Sequence, residues 1–216
     1  MLTVKRFIFN PIQENTYVVY GAKDACAIVD PGCYFPEEKR TLSNWLQEAR
    51  LLPNILLNTH CHLDHVFGNK WVSETYDLDL QMGEKELATF KYAPEAGIRW
   101  SMPFENYSGN IIFLKDGDQI GLGEDRLEVL FTPGHSVGHV VFYNRKQGFV
   151  IGGDVLFRMG IGRTDLPGGD AVLLLKSIQE KLFTLPDDVI VYPGHGEPTT
   201  IGFEKENNPF LQGGSF

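Results

Sequence analysis

The sequence predicts an α/β protein in which two packed β-sheets carry helices on their outer faces. Two observations lead there. Short apolar, strand-like runs recur in both halves of the chain and are punctuated by single helical segments. Several runs stop at Pro-Gly steps: Asp30-Pro31-Gly32, Thr132-Pro133-Gly134 and Tyr192-Pro193-Gly194. Proline lacks an N–H and glycine permits turn geometry, so such steps end a central strand. A length of 216 residues suits a single domain, residues 1–216, with a substantial core.

Taken in order, Val4–Phe9, Thr16–Tyr20 and Cys26–Val29 read as strands. Pro36–Leu51 carries helical spacing through Leu42, Trp45, Leu46 and Ala49. Asn54–Asn58 is a short apolar strand that runs into Thr59-His60-Cys61-His62-Leu63-Asp64-His65, and Val66–Tyr76 is predicted helical. Lys91–Tyr107 is rich in aromatics and holds Pro94, Gly97 and Pro103, so it reads as a loop or lid. Further strands are expected at Ile111–Leu114, Arg126–Thr132, Val140–Asn144 and Gly148–Ile151. A helix over Ala171–Phe183 and a strand over Val189–Tyr192 follow, and Gln212–Ser215 reads as a frayed tail.

Net charge is −9 with a pI near 5.1, which argues against a broad phosphate-neutralising surface and hence against nucleic acid. No apolar run approaches the roughly 20 residues that a membrane helix needs, and the opening residues lack the pattern of a signal peptide. Cys26, Cys33 and Cys61 make an odd count without a CxxC pair, so reduced thiols and a cytoplasmic location are expected.

The chemistry gathers on the histidines, of which there are six: His60, His62, His65, His135, His139 and His195. Three fall within six positions, and His135 and His195 each follow a Pro-Gly step at a strand end. A strand end is rigid, so side chains just beyond several of them can converge on one cavity. His60 and His62 alternate with Cys61, and in extended chain both point to one side while Cys61 packs away. That pair, with His135, can hold one metal, and Asp64 and His65 with His195 can face a second. Three protein ligands per metal leave a position open, as catalytic sites require. Asp154, at the end of Val150-Ile151-Gly152-Gly153, is the natural carboxylate to bridge the pair.

His60-Cys61-His62-Leu63-Asp64-His65 matches the HxHxDH motif of the metallo-β-lactamase superfamily, and Asp30-Pro31-Gly32, His135, Asp154 and His195 follow in that family's order. Gly160–Asp165, Thr199–Gly202 and Asn208–Leu211 resemble the glyoxalase II group, especially its short, single-domain bacterial members. The resemblance runs from Asn15 to Phe210 and implies a four-layer αββα sandwich with the site at the sheets' shared edge. It also implies two divalent ions, zinc foremost with iron or manganese as alternatives, held by the two triads and bridged by Asp154. Asp30 would then support ligands without binding metal, and Asp64 would help orient the attacking water.

The implied reaction is hydrolysis of a small thioester, such as an S-(2-hydroxyacyl)glutathione, by a hydroxide generated at the metals. Arg163 falls where related enzymes place a cationic substrate contact, with a structural ion pair to Asp165 as its competing role. His139 reads as a buried hydrogen-bonding partner rather than a ligand. Persulfide dioxygenases, which bind a single iron, share the Gly-Arg-Thr-Asp stretch and remain an alternative, as does a hydrolase of the same fold with another small substrate.

Overall fold

The computed structural model describes residues 1–211, so the Gln212–Ser215 tail lies outside the described residues. The first half builds strands β1 (Thr3–Phe9), β2 (Glu14–Tyr20), β3 (Ala25–Val29), β4 (Leu52–Leu57), β5 (Leu80–Gly83) and β6 (Ile111–Leu114). They form one six-stranded sheet in that order, antiparallel through β3 and parallel from β3 to β6. The second half builds β7 (Gln119–Leu122), β8 (Asp125–Phe131), β9 (Val140–Asn144), β10 (Phe149–Gly153), β13 (Ile190–Pro193) and β14 (Thr199–Thr200). Their order is β14-β13-β10-β9-β8-β7, and a small ribbon, β11 (Leu156–Phe157) with β12 (Gly160–Ile161), follows β10.

The central strands of each sheet are buried on both faces, and the pleat assigns alternate side chains to different layers. Val19, Ala27 and Val29 join Val129, Val140, Phe142 and Ile151 in the core between the sheets. Their neighbours Val18, Cys26 and Ile28 point the other way, toward α1 (Pro36–Glu48), α3 (Asn69–Tyr76) and α4 (Leu87–Arg99). Val141, Tyr143 and Val150 likewise meet α5 (Ala171–Ser177) and α6 (Ile201–Asn207). The result is helix, sheet, sheet, helix: the αββα sandwich.

Three sequence expectations need correction. Lys91–Tyr107 is not a loop throughout, because α4 continues to Arg99 with Pro94 inside it. Proline cannot donate to the carbonyl four residues back, and that carbonyl, of Phe90, instead accepts from Asn106 Nδ2 at 2.7 Å. The single helix expected over Val66–Tyr76 is two, α2 (Leu63–Val66) and α3. Between them the Gly68 N–H donates to Pro31 O (2.7 Å), and Asp64 O accepts from Asn10 Nδ2 (3.1 Å), so the linking helical bond is spent elsewhere. The helix over Ala171–Phe183 changes to π geometry at Ile178–Leu182. Among the described residues no helix is long and apolar enough to cross a membrane.

Candidate metal centre

Five chain segments meet at one edge of the sandwich, each just beyond a strand: Asp30 after β3, His60 to His65 after β4, His135 after β8, Asp154 after β10 and His195 after β13. Backbone bonds lock the edges together. Val140 N–H donates to Thr59 O (2.9 Å), Gly194 N–H to Gly153 O (2.7 Å) and Asn15 N–H to Gly194 O (2.7 Å).

Ligand atoms of His60, His62 and His135 lie within 4.8 Å of one another, as do those of Asp64, His65 and His195. In the first triad His135 Nε2 stands 2.8 Å from His62 Nδ1 and 3.2 Å from His60 Nε2. In the second, Asp64 Oδ2 stands 3.1 Å from His195 Nε2 and 3.6 Å from His65 Nε2. Asp154 lies between them. Its Oδ1 is 3.5 Å from His65 Nε2, and its Oδ2 is 3.6 Å from His135 Nε2 and 3.5 Å from His195 Nε2.

On four of the five histidines the outer nitrogen is engaged, which leaves the inner one available to a cation. His135 Nδ1 pairs with Arg163 O (2.8 Å), His195 Nδ1 with Gln13 O (3.2 Å) and His65 Nδ1 with Asp30 Oδ2 (3.2 Å). Thr59 Oγ1 donates to Asp30 Oδ2 (2.5 Å) and so accepts from His60 Nδ1 (3.1 Å). His65 Nε2 and Asp154 Oδ1 are buried, face each other and have no hydrogen-bond partner. Buried polar atoms are seldom left in that state, and a cation is what this donor set of imidazoles and carboxylates suits.

Electrostatics divides the triads. Burial holds the His60 and His135 imidazoles below their ordinary pKa and lowers His62 to about 3, with the neighbouring histidines adding to the effect. These three are neutral near pH 7. Burial opposes charge on His65 too, but Asp64, Asp154 and Asp30 outweigh it and raise its pKa. His195 is raised in the same way, by Asp154 and Asp64. For Asp64, burial pushes up, yet His65 and His195 hold its pKa below the usual carboxylate range. Without a metal, protons on the second triad balance its carboxylates.

Asp30 is fully buried and saturated as an acceptor. Besides Thr59 Oγ1 and His65, it takes Thr59 N–H (2.7 Å) and Asn58 Nδ2 (3.2 Å), which suits a residue that orients ligands. His139 is buried, with Nδ1 3.2 Å from Thr132 Oγ1 and Nε2 accepting from Asp154 N–H (3.1 Å). Cys61 turns away into the core, its Sγ 3.3 Å from Met82 Sδ. Arg163 makes a two-pronged pair with Asp165, at 2.7 and 2.8 Å, and also lines the cavity beside the centre.

The chain resembles known proteins in sequence and fold. A sequence profile of the metallo-beta-lactamase superfamily matches residues 9–195. The chain belongs to that superfamily. Among metallo-beta-lactamase superfamily relatives, hydroxyacylglutathione hydrolase GloC of Haemophilus influenzae is 37% identical over 201 residues, 92% of this chain and 93% of GloC. The crystal structure of BLEG-1, described as a B3 metallo-beta-lactamase, superposes with a TM-score of 0.90 at 37% identity, covering 98% of this chain and all of that one. TTHA1623, solved in a di-iron-bound form, superposes at 0.87 with 36% identity, covering 96% and 100%. As a member of this superfamily the chain is a metallo-hydrolase.

The sequence reading passed over several contributors. Asn58 and Thr59 follow β4 and Glu14 opens β2, polar side chains with no motif to distinguish them. Glu14 is wholly buried, with Oε1 3.9 Å from His65 Nδ1, and burial pushes its carboxyl pKa well up. The cavity, of about 860 Å³, was also missed. It is lined by α4, through Ala88, Tyr92 and Ala96, by Trp100 beyond it, and by Phe157, Ile161 and Leu166. Its helical wall includes Tyr92 and Ala96, on either side of Pro94 in a stretch whose proline and glycine give no helical signal.

Proposed function

We propose that this chain is a thioester hydrolase of the glyoxalase II type, acting on S-(2-hydroxyacyl)glutathione or a related small thioester with two divalent cations. The observation that carries the reading is Asp154, whose two carboxylate oxygens lie between a three-histidine triad and an Asp64–His65–His195 triad. The similarity to GloC supports the choice of substrate class.

In this reading His60, His62 and His135 would hold one cation, Asp64, His65 and His195 would hold the other, and Asp154 would be shared between them. Zinc is the first expectation, and the same donors accept iron or manganese. When bound, such a pair supplies Lewis acidity and lowers the pKa of a shared water toward neutrality.

The chain's own residues supply the rest. The carbonyl of Arg163 and the carboxylate of Asp30 engage the outer nitrogens of His135 and His65, so the inner nitrogen of each is the one turned toward a cation. Asp64 faces the cavity and accepts a hydrogen bond from the attacking water, which fixes its approach to the thioester carbonyl. The cavity beside the centre receives the remainder of the substrate. Its walls are chiefly apolar, so a substrate with an apolar group next to the scissile bond suits it. Arg163 stands at the rim and meets a substrate carboxylate if it leaves Asp165. No nucleic acid or membrane partner enters the reading.

The deciding experiment compares loss of S-lactoylglutathione with oxygen uptake on glutathione persulfide, using enzyme of measured metal content. Thioester hydrolysis with two cations per chain is expected. Oxygen uptake with one iron per chain, and no thioester loss, would replace the proposal with the dioxygenase reading.

A further inference from the structure

Glu86 closes a short 3-10 turn, Glu84–Glu86, between β5 and α4, and no part of it is exposed. Among the described residues it has no lysine or arginine partner. A buried carboxylate without a counter-ion is costly unless hydrogen bonds hold it. Its Oε2 accepts from the Cys61 N–H (2.9 Å), while Oε1 accepts from Ser136 Oγ (2.6 Å) and the Gly138 N–H (2.7 Å).

The identity of those donors is the point. Cys61 lies between His60 and His62, and Ser136 follows His135. One carboxylate therefore ties the turn after β4 to the turn after β8, and these two turns carry the whole first triad. The backbone is shaped for this approach. A Cβ on Gly83 would stand 2.2 Å from Gly138 O, and one on Gly138 would stand 2.4 Å from Glu86 N. Side chains at either glycine would push the Glu86 turn away from the His135 turn.

We propose that Glu86 is a positioning residue that sets the spacing of His60, His62 and His135, and thereby how tightly that triad holds its cation. The inference rests on reading the triad as a metal site. It makes Glu86, which touches no ligand side chain, a determinant of metal retention through the backbone and hydroxyl donors of two loops.

Glu86→Gln tests it with little change of shape. An amide presents one oxygen and one NH2, so either the Cys61 N–H or the Gly138 N–H must face another donor. The metal-free variant and wild type are titrated with zinc in the presence of a competing chelator, and melting midpoints are recorded with and without zinc. Weakening of one zinc step by about 10- to 100-fold is expected, the range typical of lost outer-sphere support. The gain in melting midpoint on adding zinc should shrink accordingly.

A purely structural role would lower both midpoints equally and leave the zinc affinities unchanged, and that result overturns the proposal. If Glu86→Gln does not fold, Ser136→Ala carries the test, because it removes one donor and keeps the carboxylate. A weaker zinc step in Ser136→Ala supports the proposal, and unchanged affinity overturns it. Wild type that binds no zinc, iron or manganese would instead refute the metal reading of the triad itself.

Discussion

Replacing Asp30 by asparagine isolates the support that one buried carboxylate gives to the second triad. Asp30 has φ 49°, in the left-handed region. Asparagine adopts that region with little strain, so the backbone should stay in place. One side-chain oxygen can still accept from Thr59 N–H and Asn58 Nδ2, as Oδ1 now does. The other becomes an NH2 facing His65 Nδ1, at the present 3.2 Å, and Thr59 Oγ1, whose hydroxyl can rotate to accept. The His65 ring then loses its only carboxylate hydrogen bond at Nδ1 and its inner nitrogen loses basicity. A hydrogen bond to a charged partner contributes about 1.5–3 kcal/mol. That corresponds to about 10- to 150-fold weaker cation binding. Calorimetric titration of the metal-free variant with zinc, with circular dichroism to confirm the fold, measures the change. A folded Asp30→Asn protein that binds both ions as tightly as wild type would refute the reasoning.

Further outcomes follow from the same geometry. Gly194→Ala places a Cβ 2.0 Å from Asp154 Oδ1 and 2.7 Å from His65 Cε1. Overpacking of this kind costs about 1–3 kcal/mol, and the displaced carboxylate should leave the purified variant short of metal by elemental analysis. Unchanged metal content would argue against Asp154 as the bridge. The metal-free protein should lose stability as pH falls below about 6.5, the ordinary histidine pKa. There the unfolded chain takes up protons that folded His60, His62, His135 and His139 refuse, down to about 3 for His62. Buried Glu14 and Glu86, and His65 and His195, all with raised pKa values, oppose this trend because the folded protein already holds those protons. A melting midpoint constant between pH 6.5 and 5 would contradict it. In a series of thioesters with lengthening apolar acyl groups, kcat/KM should rise about fourfold per methylene, from about 0.8 kcal/mol each. A flat series would mean that the wall of Tyr92, Ala96 and Phe157 does not meet the acyl group.

The centre was legible in the sequence because its residues obey local rules. His60, His62, Asp64 and His65 lie within six positions, and His135 and His195 follow Pro-Gly steps that fix where a strand ends. The two packed sheets were legible because apolar runs such as Cys26-Ala27-Ile28-Val29 recur in both halves and are punctuated by single helical segments. What escaped depends on partners distant in the chain. Pro94 breaks a helix on local grounds, and only Asn106, twelve positions on, supplies the hydrogen bond that lets α4 continue. Glu86 looks like one more charged residue in Glu84-Lys85-Glu86 until Cys61, Ser136 and Gly138 converge on it. Strand β14, two residues long, is too brief to show a period.

The bridging carboxylate is tested most directly by anomalous diffraction from crystals of metal-loaded protein, collected at the absorption edge of the bound element. The account predicts two peaks, one among His60, His62 and His135 and one among Asp64, His65 and His195, with Asp154 contacting both. A single peak, or two peaks with Asp154 turned away from either, would contradict it.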